Sequence, residues 1–269
     1  MSRGFLESTT LGFARLFTRA MLSEQVAGQR GLLQSLDPRV RVLGLFTLVL
    51  AVTLCRRIAA VAALFAVAIV LAAFSKVSPV TLAKRVWWVV LAFTGVIALP
   101  AIFITPGTPV AGMGGLTITE QGLRTAGLLV LRVESAVTFT ALLVLCTPWS
   151  HVLKALRTLR LPKEAIMMLA MTYRYVFLLV ETATQMFESR RSRTVGELAP
   201  AEQRHMAVRT AGVLLSKSID MSNEVYLAMQ SRGFSGEVQV LPNFNLTMRD
   251  LCAMLAFLLA AGTAIWLDK

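Results

Sequence analysis

Five long apolar runs constrain this chain more than any other feature. They are Val40–Cys55, Ile58–Phe74, Val86–Thr105, Thr125–Thr147 and Leu251–Leu267. Each is near the roughly 20 residues that a helix needs to cross a bilayer. The first two are short and borrow flanking residues. The composition agrees: 56% of the 269 residues are hydrophobic and 16% are charged. Water-soluble domains run at about 45–50% and about 25%. A disordered chain, a collagen-like chain and most soluble enzymes are thereby excluded. The expected fold is all-α, a polytopic membrane protein of about five transmembrane helices with amphipathic helices beside them.

Details of the runs carry further expectations. The second run spaces small residues four apart (Ala59 and Ala63, Ala62 and Ala66, Ala68 and Ala72), which would let helix backbones approach closely. Trp87 and Trp88 stand where an interfacial aromatic belt would lie. Arg132 and Glu134 interrupt the fourth run. Both are expensive in hydrocarbon and should face protein or water. Two positions apart on a helix, they point to different faces and are not expected to pair.

The net charge of +12 fits basic cytoplasmic loops, and its distribution orients the spans. Arg3, Arg15, Arg19, Arg30, Arg39 and Arg41 precede or open the first span, and Lys76, Lys84 and Arg85 follow the second. The Pro106–Gly122 loop has five glycines and no lysine or arginine, as suits the outer side. The reading is therefore a cytoplasmic N-terminal segment (1–39), transmembrane helices 1–4 (40–147), a cytoplasmic or interfacial domain (148–249) and a C-terminal transmembrane helix (250–269) ending outside. Arg56-Arg57, on the outer side, opposes this orientation. No cleavable signal peptide is visible, since the first run begins too late for one. Cys55, Cys146 and Cys252 lie far apart and form neither a disulfide framework nor a metal cluster.

Residues 148–249 differ in character, with thirteen of the 27 basic residues and eight of the fifteen acidic ones. Thr147-Pro148 reads as an N-cap with proline at the first helical position. Trp149, Val152, Leu153, Leu156 and Leu159 then form an apolar stripe with Lys154, Arg157 and Arg160 off it, an amphipathic helix. A long helix is expected from about Lys163 to Arg193, apolar in its first half except for Arg174. It ends in Ser189-Arg190-Arg191-Ser192-Arg193-Thr194 with Gly196 beyond. A second runs from about His205 to Arg232, with Leu214, Ser218, Met221, Val225, Met229 and Arg232 down one face. Both finish with arginine and then glycine. Seven methionines between Met167 and Met229 suit adaptable surfaces or core filling.

Catalytic chemistry is not expected. His151 and His205 have no cluster of further ligands at metal-site spacing, so no metal site is expected. The AGVLLSKS stretch (Ala211–Ser218) lacks both glycines of a phosphate loop. Asn245-Leu246-Thr247 matches a glycosylation acceptor but falls on the cytoplasmic side.

Leu159–Arg193 and Val208–Glu237 resemble the signature region of the transmembrane T components of energy-coupling factor (ECF) transporters. The Ala228-Met229-Gln230-Ser231-Arg232-Gly233-Phe234 segment carries the likeness best. Leu36-Asp37-Pro38-Arg39 and Thr147-Pro148 fit the same family, and the wording is most similar to its cobalt-type CbiQ members and their nickel counterparts. The resemblance implies a non-catalytic scaffold in a prokaryotic cytoplasmic membrane. Its partners would be two cytoplasmic ABC ATPases, a CbiM-like substrate-binding membrane subunit and a small accessory membrane subunit. ATP and Mg would sit on the ATPases, with no cofactor on this chain. It further implies that Ser189, Arg190 and Arg191, or Ser192, Arg193 and Thr194, form one ATPase-coupling motif, and Ser231, Arg232 and Gly233 the other. The family usually has alanine before these arginines and glycine after them. Serine precedes them here, and Thr194 replaces the first glycine, so Arg190, Arg191 and Arg193 all stay open as the key residue. The cargo would be cobalt or nickel, with a vitamin-type substrate as alternative. A self-sufficient secondary transporter would need ionisable groups along a midplane path, and only Arg132, Glu134 and Arg174 offer themselves. Nucleic acid is not an expected partner, because the basic residues are interleaved with acids and lack an aromatic stacking platform.

Overall fold

The structure, a computed structural model, describes residues 31–77, 82, 86–106, 108–113, 116–158, 161–193, 199–234 and 247–268. Arg3, Arg15, Arg19, Arg30, Lys84, Arg85, Leu159, Arg160, Thr194, Gly196 and Asn245-Leu246 lie outside the described residues, as does the side chain of Arg191. Among the described residues there are nine helices: α1 (Leu32–Ser35), α2 (Pro38–Leu54), α3 (Ile58–Phe74), α4 (Trp88–Ile104), α5 (Glu120–Cys146), α6 (Trp149–Thr158), α7 (Lys163–Arg193), α8 (Pro200–Ser231) and α9 (Met248–Leu267). A short hairpin, β1 (Pro109–Met113) and β2 (Leu116–Thr119), joins α4 to α5. The described residues form two compact units, those of 31–155 with 247–268, and those of 156–234.

The first unit is the apolar bundle. At one end, Asp37 caps α2 by accepting the Arg39 amide at 2.8 Å, and Pro38 takes the first helical position, where its missing N–H costs nothing. Thr247 is the N-cap residue of α9, and its amide donates to Asp250 Oδ2 at 2.9 Å, the hydroxyl donating to the same oxygen. The other oxygen of Asp250 accepts the Asp37 amide at 2.7 Å. The N-termini of α2 and α9 therefore meet, and the two helices run parallel. Arg41, 2% exposed, adds α5 to this knot. Its Nη2 donates to Leu36 O at 2.8 Å, and its Nη1 donates to Cys146 O and Thr147 Oγ1 at the end of α5.

Between the ends lies a core that includes Leu45, Leu48, Val52, Leu64, Phe139, Leu142 and Phe257. Gly44 allows α9 to approach α2, because a Cβ there would sit 2.2 Å from Phe257 Cδ2. The small-residue stripe of α3 differs from the expected one. Ala60, Leu64, Ala68 and Ala72 are buried, while Ala59, Ala62, Ala63 and Ala66 are exposed. Only the Ala68–Ala72 pair packs as expected. In so uniform a run, spacing alone cannot choose the face, and the bulk of Leu64 does.

At the opposite end, Asp268 accepts the amides of Arg56 and Arg57 at 2.6 and 2.5 Å. Those amides, Arg57's first, hold its carboxyl below the usual carboxylate range, with both guanidinium groups adding to the effect. Here the arginines that oppose the charge rule have an acidic partner. Arg132 Nη2 donates to Cys55 O, the C-cap of α2, at 2.7 Å. About 18 Å of α5 (Glu120–Leu131) thus lies on the far side of Arg132 from its Cys146 end. α4 accompanies α5 from the level of Thr138 to this end. Trp87 Nε1 donates to Thr138 Oγ1 at 3.0 Å, and the Thr119 hydroxyl donates to Thr105 O at 2.8 Å. The two tryptophans therefore divide: Trp88 is exposed as a belt residue would be, and Trp87 turns inward.

The hairpin was not expected from so glycine-rich a loop. Its antiparallel register pairs Ala111 with Ile118 and Met113 with Leu116. By length and composition, α5, α7 and α9 could each cross a membrane, and α3 and α4 are shorter apolar helices. The long helix of the interfacial domain thus also has the makings of a span.

Candidate coupling site

α6 starts one residue later than its motif suggested. Its first turn bonds to Pro148 O, from the amides of His151 and Val152. Thr147 is the C-cap of α5, and its hydroxyl accepts from Arg41 instead of capping α6. The Leu36-Asp37-Pro38-Arg39 and Thr147-Pro148 motifs are thus one structural feature, held together by Arg41. The apolar stripe of α6 is turned inward, with Leu153 and Ala155 buried and Trp149, Val152 and Leu156 half-buried. Arg157 is exposed. Burial pushes the His151 imidazole below its ordinary value, helped by the charges of Lys154 and Arg41.

In the second unit α7 packs against α8. Ala183, Phe187 and Thr210 are buried, and Tyr173 meets Phe177 edge-on at 4.9 Å. Leu214, Ser218, Met221, Val225 and Met229 are half-buried, each flanked by exposed positions. These are five of the six positions that the three-four spacing put on one face; the sixth, Arg232, is exposed past the end of the helix. The remaining surface of α8 is also apolar: Val208, Leu215, Ile219 and Tyr226 are each more than half exposed at spacings of seven, four and seven. The most apolar stretch of α7 buries none of its residues. Exposed apolar area of this extent marks a partner surface or a lipid surface.

The two arginine motifs occupy different structural settings. The first lies in the last turn of α7, with Ser189, Ser192 and Arg193 exposed and Arg190 half-buried. The Ser192 hydroxyl donates to Ser189 O at 2.8 Å, turning back onto its own helix. The second motif sits on a helix stop. Arg232 is the C-cap of α8, and Gly233 follows with φ +73°. The Phe234 amide donates to Met229 O at 3.0 Å and the Gly233 amide to Gln230 O at 2.9 Å, the two bonds of a Schellman motif. A Cβ at Gly233 would touch nothing, so glycine is needed for its backbone alone. Replacing it with alanine should cost about 1–2 kcal/mol and fray the last turn, while asparagine should restore most of it. Hydrogen exchange at the Phe234 amide would measure the difference.

The motifs do not form one cluster. α8 is 32 residues long, about 48 Å, and the link from Arg193 to Pro200 reaches at most about 25 Å. Arg193 and Arg232 are therefore at least about 20 Å apart, and each can serve a separate partner. Sequence reasoning missed Arg41 and Asp250 as organisers. The sequence signal for Asp250 was Thr247-x-x-Asp250 before an apolar run. For Arg41 it was a basic residue one turn inside a span.

Comparison with known proteins agrees with the resemblance. The family described as CbiQ, cobalt transport protein, matches residues 29–242. An uncharacterized protein of Methanocaldococcus jannaschii is 30% identical over 244 residues, covering 89% of this chain and 84% of that one. The cobalt transport protein CbiQ of Rhodobacter capsulatus is 32% identical over 184 residues, 64% of this chain and 74% of its own. The energy-coupling factor transporter transmembrane protein EcfT of Lacticaseibacillus paracasei is 31% identical over 159 residues, 55% of this chain and 59% of its own. The matched span contains both arginine-ended helices and Arg41 with its acceptors at Leu36, Cys146 and Thr147, and on it the chain belongs to the CbiQ family of cobalt transport proteins.

Proposed function

We propose that this chain is the non-catalytic transmembrane scaffold of an ATP-driven ECF-type importer, most simply one for cobalt or nickel. The carrying observation is the pair of separated arginine ends on long helices with unburied apolar faces. Two docking points at least about 20 Å apart suit two ATPase subunits better than one. Arginine suits such a contact, since its five donors meet carboxylates and carbonyls in a fixed fork. Closure of the ATPases on ATP would move the two ends, and the helices would pass that motion to a substrate-binding membrane subunit. The N-terminal segment and both helix ends then face the cytoplasm, and the C-terminus lies outside. The metal-selective site belongs to the other membrane subunit, and ATP and Mg to the ATPases.

The test is a detergent pull-down from native membranes, with every co-purifying subunit identified by mass spectrometry. An ABC ATPase together with a histidine-rich membrane subunit supports metal import. An ATPase with a vitamin-binding subunit keeps the mechanism and changes the cargo. No ATPase, in conditions that preserve complexes, overturns the proposal. At the α7 end, Arg190→Glu should weaken ATPase retention only partly, because Arg191 and Arg193 stand beside it. Complete loss from that single change would contradict a shared role.

A further inference from the structure

Glu134 sits midway along α5, about 21 Å from its start and about 18 Å from its end. It is 6% exposed, and neither carboxylate oxygen has a hydrogen-bond partner among the described residues. Arg132, two positions away, gives its Nη2 to Cys55 O instead. An acidic side chain left unpaired in a span is costly, and such residues generally serve a site.

Glu134 lines a lateral groove of about 770 Å³ between α3, α4 and α5. The other lining residues are apolar or small, among them Phe65, Leu91, Gly95, Ala98 and Gly127. A Cβ at Gly95 or Gly127 would meet nothing within 4 Å, so the small residues leave open space. Small residues of this kind let a second helix lie close to the first. Lipid tails could fill the space but would leave the carboxylate without a donor. The occupant that satisfies both features is a helix carrying one cation.

We propose that this groove receives a transmembrane helix of another subunit, which presents an arginine or lysine to Glu134 among small and apolar residues. A guanidinium would satisfy both orphaned oxygens at once. The proposal rests on the scaffold reading above and names where, and by what chemistry, the other membrane subunit is held.

The experiment places a photo-crosslinking amino acid at Gly127 in the native complex and maps the products by mass spectrometry. ATPase retention is measured in the same sample. The expected product joins this chain to a different membrane polypeptide, through a helix that contains an arginine or lysine. Glu134→Leu should cut that product at least about tenfold, and reversing both charges, with Glu134→Arg against the partner's cation changed to glutamate, should restore it. ATPase retention should hold throughout. A second variant, Gly95→Phe, fills the groove without touching Glu134 and should also cut the product. Crosslinks to lipid alone, to a second copy of this chain, or in unchanged yield in Glu134→Leu or Gly95→Phe would overturn the proposal. A wild-type complex without ATPases would overturn the scaffold reading instead, and the groove crosslink would still be scored by itself.

Discussion

On the scaffold proposal, Arg232→Glu should release the ATPase subunits and stop ATP-driven uptake, with membrane insertion and yield at wild-type levels. The expectation follows from where the residue stands. Arg232 is exposed at the C-cap of α8, and the Schellman bonds around it run between backbone groups. Reversing its charge therefore leaves the fold intact, at a cost of about 1 kcal/mol against the helix dipole. At a docked interface the same change removes a charged donor and adds a like charge, a loss of about 2–5 kcal/mol. Co-purification of the ATPases and metal uptake in membrane vesicles measure the two halves. Normal uptake in this variant would remove Arg232 from the coupling role. Arg232→Lys should fall between, because a point charge replaces the planar fork.

Arg41→Ala should give the largest loss of stability in the bundle. It removes the buried donors to Leu36 O, Cys146 O and Thr147 Oγ1 and leaves those acceptors unpaired. Hydrogen bonds to a charged group are worth about 1.5–3 kcal/mol each, so losing the two short ones, to Leu36 O and Cys146 O, should cost roughly 3–6 kcal/mol. For a chain of this size that lowers the melting temperature by about 10 °C. Arg39→Ala is the comparison, since Arg39 is only half-buried and contributes its backbone amide to the Asp37 cap. Equal melting temperatures for the two variants would show that the Arg41 knot does not hold the helix ends together.

The helices were legible in the sequence where bulk and polarity alternate with the helical period. The half-buried line Leu214, Ser218, Met221, Val225 and Met229 of α8 could be read directly, because its members recur at the helical period and Lys217, Asp220 and Glu224 stand between them. The buried stripe of α3 could not, since nearly every position there is alanine, valine or leucine. The hairpin between α4 and α5 was hidden because four of the five glycines of its loop precede β2 and mask any alternation. The site was half legible. Both arginine-ended helices and the glycine stop after Arg232 stood out, but not the work of Arg41. Charge counting treats every arginine before a span alike, and only the fold turns this one back toward Leu36. Glu134 was expected to face protein or water, yet its empty surroundings become visible only once α3 and α4 are placed beside it.

The bond between the Asp37 amide and Asp250 joins residues 213 positions apart. A ribosome adding about 5–20 residues per second takes about 10–40 seconds to cover that distance. For that interval α2 is made and inserted without the helix that completes its packing, and the cleft at Gly44 waits empty for Phe257. Assembly of the bundle is therefore timed by its last helix. A chain that stalls before residue 250 presents the membrane's quality-control proteases with an open α2 face, however well its earlier helices have inserted.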